Sequence, residues 1–374
     1  MKNIKILLSL SIAIFVFYFN ISVCFSLPYE TEKDFDVSSK SAIVIEKSTG
    51  RILYGKNIYE HLPVASTTKI MTSLIALEQK NIDETFEINP KSVLVEGTSM
   101  GLRAGDKATL RDLAVGMLLS SGNDAANAVA YKISGSISDF ANLMNKKAQE
   151  LGLENTHFTN PSGLDIDSPY SCAYDMARLG AYALKNSDFS SICCKKSIPT
   201  SFGNPPTIKF LKNHNRLLSL YDGCNGIKTG FTKKAGRCLV SSAKKNDKEL
   251  ICVTLCARDD WNVHKSLYDR YFSKFNMVNL NQFVSPISHT FLTENEEKLC
   301  VLRPKDDYFY PLLPTEQKDL TFRIFKNSFD YVSSDILLAE NIFKNSYATA
   351  YVYCNKEKIA EIPFIFNKTV DKKD

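Results

Sequence analysis

Pro63-Val64-Ala65-Ser66-Thr67-Thr68-Lys69-Ile70-Met71-Thr72 is the stretch from which the rest of the chain can be read. Pro63 stops the preceding segment from being helical, and the pattern predicts a helix starting near Ser66. Ile70, Leu74 and Leu77 supply its apolar stripe. On that helix Ser66 and Lys69 share a face, so their side chains can meet. Ser66 falls in the first turn, where the helix dipole favours negative charge developing nearby. A serine hydroxyl is a weak nucleophile that needs a base, and lysine serves as one only when neutral. Alone, Ser-x-x-Lys arises easily by chance and describes an exposed helical pair.

Two further strings follow in order, Ser121-Gly122-Asn123 and Lys228-Thr229-Gly230. In isolation the first is a turn with a helix cap and the second a routine turn. Their surroundings make the set specific: Asn160-Pro161-Ser162-Gly163-Leu164-Asp165, Ala173-Tyr174-Asp175, Asn213-His214-Asn215, and Phe231-Thr232 after the last string. On these residues the chain resembles the low-molecular-weight penicillin-binding proteins, the serine-type D-alanyl-D-alanine carboxypeptidases. The resemblance is strong from about Ser41 to Phe275 and weak beyond. It implies an α+β fold: a β-lactamase/transpeptidase-like catalytic domain with an antiparallel sheet and a helical region, followed by a small all-β domain.

The chemistry expected of the three strings follows. Ser66 is the nucleophile and Lys69 its base, with Lys228 close enough to disfavour the charged form of Lys69. Ser121 relays a proton to the leaving amine, since a hydroxyl both donates and accepts. Asn123 holds the substrate amide. Lys228 and Thr229, on an edge strand, present an ammonium and a hydroxyl to a carboxylate, and Gly230 permits close backbone approach. By resemblance, the backbone N–H groups of Ser66 and Phe231 form an oxyanion hole. His214 is read as a structural or cleft-wall residue rather than a triad base, Asp175 as a supporting carboxylate or a helix-start residue rather than an acid-base group, and Arg258 as a candidate carboxylate ligand.

A length of 374 residues suggests about two domains, and 44% hydrophobic with 23% charged residues fits an ordinary globular protein. A net charge of only +5, with no basic block interleaved with aromatics, gives nucleic acid no support as a partner. Lys2 and Lys5 precede an apolar run from Ile6 to Phe19, of export-signal rather than membrane-spanning length. Residues 1–26 are therefore expected to be a signal peptide, and the protein exported to the cell wall or the outer face of the membrane. The ten cysteines have no regular spacing, so mostly reduced, buried thiols are expected. Cys238 should fall opposite about Cys256 in a hairpin, the Cys193-Cys194 doublet is ill suited to bridging itself, and no Cys/His group has metal-ligand spacing. No metal or cofactor is expected.

Residues Ser41 to Tyr54 read as a hairpin turning at Ser48-Thr49-Gly50. Helices are expected at Leu110–Leu119, Asp124–Ile133, Ile137–Leu151, Tyr174–Leu184 and Asn262–Phe275. Strands are expected at Gly226–Thr232, Arg237–Ser242 and Leu250–Leu255. From about Leu280, apolar runs at Phe322–Phe325, Ala348–Cys354 and Ile362–Phe366 alternate with polar turns. The domains are accordingly placed at 35–277 and 283–370. The stretch Asn367 to Asp374 lacks the amphipathic helix that often anchors relatives, leaving membrane association open. The resemblance implies peptidoglycan stem peptides ending in D-Ala-D-Ala as substrates and β-lactams as acylating inhibitors. A class A-like β-lactamase is disfavoured because Glu150-Leu151-Gly152-Leu153-Glu154 does not reproduce its Glu-x-x-Leu-Asn string. A catalytically silent cell-wall binding protein would not need the Ser66–Lys69 pair.

Overall fold

Glu30–Thr31 (β1), Ser39–Glu46 (β2) and Ile52–Lys56 (β3) open the main sheet. The structure, a computed structural model, describes residues 27–284, 287–292, 297–326 and 346–370. The expected signal segment 1–26 and the residues 371–374 lie outside them. The β2–β3 turn closes as its residues predict: Gly50 adopts φ +71°, and the Glu46 carboxylate accepts the Ser48 and Thr49 N–H groups.

Ser66 does not begin the next helix. Ala65–Thr68 form a 3₁₀ turn, and the α-helix proper, Lys69–Leu77 (α1), starts at the lysine. The Thr67 hydroxyl donates back to Val64 O at 2.7 Å, a local bond that competes with α-helical register. Because a 3₁₀ turn eclipses residues three apart, Ser66 and Lys69 still align.

Short strands Phe86–Glu87 (β4) and Lys107–Ala108 (β5) lead into Leu110–Leu118 (α2), closed at its start by a Thr109–Asp112 capping box. Asn123–Ser134 (α3), Ile137–Glu150 (α4), Ala173–Ala183 (α5) and Ser187–Cys193 (α6) complete the helical middle. A hairpin that the sequence reading missed follows, Ser197–Gly203 (β6) and Pro206–Lys212 (β7), in a four-stranded sheet ordered β4-β5-β6-β7. After the short Leu217–Leu220 (α7) come Cys224–Thr232 (β8), Gly236–Lys245 (β9), Lys248–Ala257 (β10) and the helix Asp260–Lys274 (α8).

The main sheet has the order β1-β3-β2-β10-β9-β8, antiparallel except for β1 with β3, and β8 stands at its edge. Alternation along β2 explains its burial on both faces: Ile43 and Ile45 pack toward the helical middle, Ala42 and Val44 toward the side of α8. Cys238 and Cys256 meet at a β-bulge, where the β9–β10 register slips between Thr254 and Ala257 and Cys256 takes φ +52°. Cys238 is buried and Cys256 exposed, and no described cysteine is bonded to another.

Asn276–Asn279 (β11), Ile287–Leu292 (β12), Glu297–Pro304 (β13), Phe309–Leu312 (β14), Leu320–Lys326 (β15), Ala348–Cys354 (β16) and Glu357–Val370 (β17) make the C-terminal all-β region. Its five-stranded sheet runs β12-β13-β17-β16-β15. Val352, Ile362 and Phe364 form a second core, which Leu27 from the chain's beginning also enters. A buried ion pair crosses to this region: Arg51 donates Nη2 to Glu316 Oε1 at 2.7 Å and Nη1 to Glu316 Oε2 at 3.0 Å, and also bonds Pro311 O. The guanidinium lies 4.9 Å from the ring centre of Phe275. Among the described residues no helix is long and apolar enough to cross a membrane.

Candidate active site

The three strings converge. Ser66 Oγ lies 2.9 Å from Lys69 Nζ, and Lys69 is fully buried. Its nitrogen also donates to Asn123 Oδ1 and to Ser162 O, each at 2.7 Å. Burial, and after it the nearby Lys228, hold the Lys69 pKa well below its ordinary value, with Asp124 opposing. A neutral amine has two hydrogens and one lone pair. Asn123 Oδ1 and Ser162 O can only accept, so they take both hydrogens and leave the lone pair facing the Ser66 hydroxyl.

The backbone is shaped to make this possible. Asn160 Oδ1 accepts the N–H groups of Ser162, Gly163 and Leu164, folding that loop back on the Ser66 turn. Asp124 accepts from Met100, Gly101 and Leu102 N–H, which fixes the loop carrying Thr98. The Thr98 hydroxyl then donates to Ser121 O at 2.7 Å. Ala65 and Ser121 adopt φ +48° and +60°, so strained backbone stands immediately before the nucleophile and at the second string.

An open cleft of about 560 Å³ is lined by Ser66, Ser121, Thr229, Gly230 and Phe231, with Thr98 at its wall. Gly230 serves the close approach expected of it: a Cβ there would lie 3.0 Å from Val64 O and 3.1 Å from Ser66 N. This brings the backbone of β8 against the Ser66 turn.

Two residues expected to contact substrate are buried and bonded within the protein. Asn123 is 3% exposed; its Oδ1 is bonded to Lys69 and its Nδ2 donates to Glu96 O at 2.7 Å, so it orients the lysine from behind the cleft wall. Lys228 is 1% exposed, donates to Thr229 O at 2.8 Å, and has its pKa lowered by burial to about 7. It sits behind Thr229 rather than in the open cleft.

His214 lines the cleft, as read; its backbone N–H donates to Leu119 O, and burial followed by Lys228 lowers its pKa. Asp175 stands in the first turn of α5 and accepts from Asn155 N–H and the Thr156 hydroxyl, with its pKa raised by burial. Arg258 is exposed, its N–H bonds Ser38 O, and it does not line the cleft. The bulge at Cys256 adds a residue and changes which side the following residues face. The cleft arginines are Arg216 and Arg237, with Trp261 and Asp260 beside the latter. Pairing Phe231 with Arg237 across the hairpin was the available signal for one of them.

The sequence of D-alanyl-D-alanine carboxypeptidase DacF of Bacillus subtilis is 40% identical over 226 residues, which cover 59% of this chain and 57% of that protein. That of DacC of Escherichia coli is 36% identical over 240 residues, covering 60% and 58%. The chain thus spans somewhat more than half the length of these two relatives. The crystal structure of the D-alanyl-D-alanine carboxypeptidase DacD from Francisella tularensis superposes with a TM-score of 0.66 at 25% identity, covering 90% of this chain and 94% of that one. The Streptomyces K15 DD-transpeptidase does so with a TM-score of 0.60 at 30% identity, over 63% and 98%. Residues 28–259 match the peptidase S11 family, described as D-alanyl-D-alanine carboxypeptidase, and the chain belongs to that family.

Proposed function

We propose that this protein is a serine-type D-Ala-D-Ala carboxypeptidase that removes the terminal D-alanine from peptidoglycan pentapeptide stems through an acyl-enzyme. The observation that carries the reading is the hydrogen-bond set of Lys69, whose two obligate acceptors leave the lone pair of the amine, in its neutral form, to Ser66 Oγ. Ser66 Oγ attacks the carbonyl of the penultimate D-alanine as its proton passes to Lys69. The N–H groups of Ser66 and Phe231 stabilise the oxyanion. The C–N bond then breaks, and the proton moves from Lys69 through the Ser121 hydroxyl to the departing amine. Water hydrolyses the ester with Lys69 again the base.

Thr229 receives the terminal carboxylate, and Gly230 lets the strand approach. Lys228 adds its charge from behind Thr229. With a pKa near 7 it is readily protonated when a carboxylate arrives, since an adjacent anion favours the ammonium. Among the described residues the only carboxylate lining the cleft is Asp260, bonded to Arg237, which supports slow rather than rapid turnover of β-lactam esters.

Residues 1–26 are read as an export signal, 35–277 as the catalytic domain and 283–370 as a positioning β domain, with action at the cell wall. The protein should release D-alanine from peptides ending in D-Ala-D-Ala and gain one covalent penicillin adduct by intact mass. Ser66→Ala should do neither. An adduct persisting in that variant, or an inactive wild type, overturns the assignment.

A further inference from the structure

The cleft has a direction. Asn215 Nδ2 donates to Gly226 O at 2.8 Å, which sets the segment from Asn213 to Arg216 beside the early part of β8. At the other end, Arg237 is the cross-strand partner of Phe231 and shares the cleft wall with Asp260 and Trp261. Gly230, packed against Ser66, lies between. With the terminal carboxylate at Thr229, the leaving residue occupies the first end, and the acyl half of the substrate extends toward Arg237.

Arg237 is held ready for a ligand. Asp260 Oδ1 accepts its Nε at 3.0 Å and its Nη2 at 2.7 Å, and Asp260 is itself 2% exposed. The guanidinium lies 5.4 Å from the centre of the Trp261 ring. One edge and one face are thus fixed, yet the side chain remains 41% exposed, and Nη1 has no hydrogen-bond partner among the described residues. A planar cation immobilised in this way meets an anion with little further loss of side-chain entropy. Phe231, 66% exposed, and Trp261 supply apolar surface for the aliphatic stem of a long side chain.

We infer that Arg237 is a specificity-determining residue. It selects stem peptides in which the side chain of the residue preceding the D-Ala pair ends in a free carboxylate, over those in which that group is amidated or absent. The inference rests on the carboxypeptidase reading and names the substrate class within it. The free Nη1 edge forms a charge-assisted hydrogen bond with the carboxylate, while Asp260 and the indole keep the guanidinium from turning away.

The test uses the full chain and two peptides ending in D-Ala-D-Ala that differ only in whether that side chain ends in a carboxylate or its carboxamide. D-alanine release should favour the carboxylate peptide by about 10-fold in kcat/KM, chiefly through KM, and less so at high salt. In Arg237→Gln, whose amide can still donate to Asp260, the ratio should fall to near one. Arg237→Lys should keep only part of it, and carries the test if the glutamine variant misfolds by circular dichroism. Equal wild-type rates on the two peptides overturn the inference alone, as does a folded variant that keeps the full preference. An equal slowing on both peptides in Arg237→Gln would mean that Arg237 binds the common terminal carboxylate, which also overturns it. No release of D-alanine from either peptide by wild type removes the carboxypeptidase reading itself, and the inference with it.

Discussion

Gly163 lies against the carbonyl of Ala65, so closely that a Cβ on Gly163 would fall 1.9 Å from Ala65 O and 2.7 Å from the Thr68 hydroxyl oxygen. With φ +80°, Gly163 is also in backbone space that other residues enter only with strain. Through this contact the loop that offers Ser162 O to Lys69 is seated on the turn that carries Ser66.

Gly163→Ala should therefore disturb the nucleophile without altering any reacting group. The expected outcome is a loss of about 10²-fold or more in the rate of penicillin acylation, with destabilisation of about 1–3 kcal/mol. Stopped-flow acylation and urea unfolding measure the two effects. A folded variant acylating within a few-fold of wild type would mean that the contact does not position Ser66.

Lys69→Ala should slow acylation by about 10²- to 10⁴-fold. Asn123→Ala removes one of the two acceptors that orient the amine, and should slow acylation while lowering the pH at which it reaches half its maximum, because the lost acceptor also stabilised the ammonium form. Loss of an orienting acceptor frees a lone-pair direction that no longer points at Ser66. A rate profile over pH for the variant, compared with wild type, separates this effect from a simple loss of substrate binding.

The pH dependence of stability should have a maximum at mildly alkaline pH. Lys228 has a folded pKa near 7 against 10.5 in the unfolded chain, so above pH 7 the unfolded state binds more protons and stability rises with pH. The limiting slope is about 1.4 kcal/mol per pH unit for each such group, and Lys69 acts in the same direction. The buried thiols act oppositely: burial raises Cys172 and Cys238 to about 12 from 9.0, so above pH 9 the unfolded chain loses protons that the folded one retains. Denaturant titrations between pH 6 and 10 should show stability climbing, then falling beyond about pH 9. A monotonic decline from pH 6 would contradict the burial of the two lysines.

Among the described cysteines Cys256 is the exposed one, at the β9–β10 bulge. Brief treatment with iodoacetamide should alkylate it ahead of Cys238 and Cys252, whose thiol pKa values burial raises. Peptide mapping at early times checks this order, and earlier labelling of Cys252 would refute it.

Much of this arrangement was legible because alternation and helical spacing are strong signals. The β2–β3 hairpin and the strand carrying Lys228 to Phe231 follow from them directly, whereas the place of that strand at the sheet edge does not. What escaped were groups without a residue-type signature. Ser162 contributes a backbone carbonyl, aimed by Asn160 Oδ1, and nothing in the serine itself announces it. The depressed pKa of Lys69 was ascribed to Lys228, whereas burial, a tertiary property, is the larger cause. The β6–β7 hairpin was missed because Ile208 and Phe210, its apolar residues at period two, face solvent instead of a core. Arg258 was mistaken for a cleft residue because a single bulged position decides which side of the strand is presented.

Arg51 has one consequence for the order in which the protein matures. It belongs to the opening hairpin, yet the carboxylate that neutralises it stands on Glu316, 265 positions later in the chain. Pro311 and Tyr310, which help enclose the guanidinium, are also made late, so its burial and its neutralisation arrive together. A chain interrupted before Glu316 would carry Ser66, Lys69, Ser121 and Lys228 but lack the carboxylate that seats Arg51. The pair thus ties the setting of a residue in the first hairpin to one made 265 positions later.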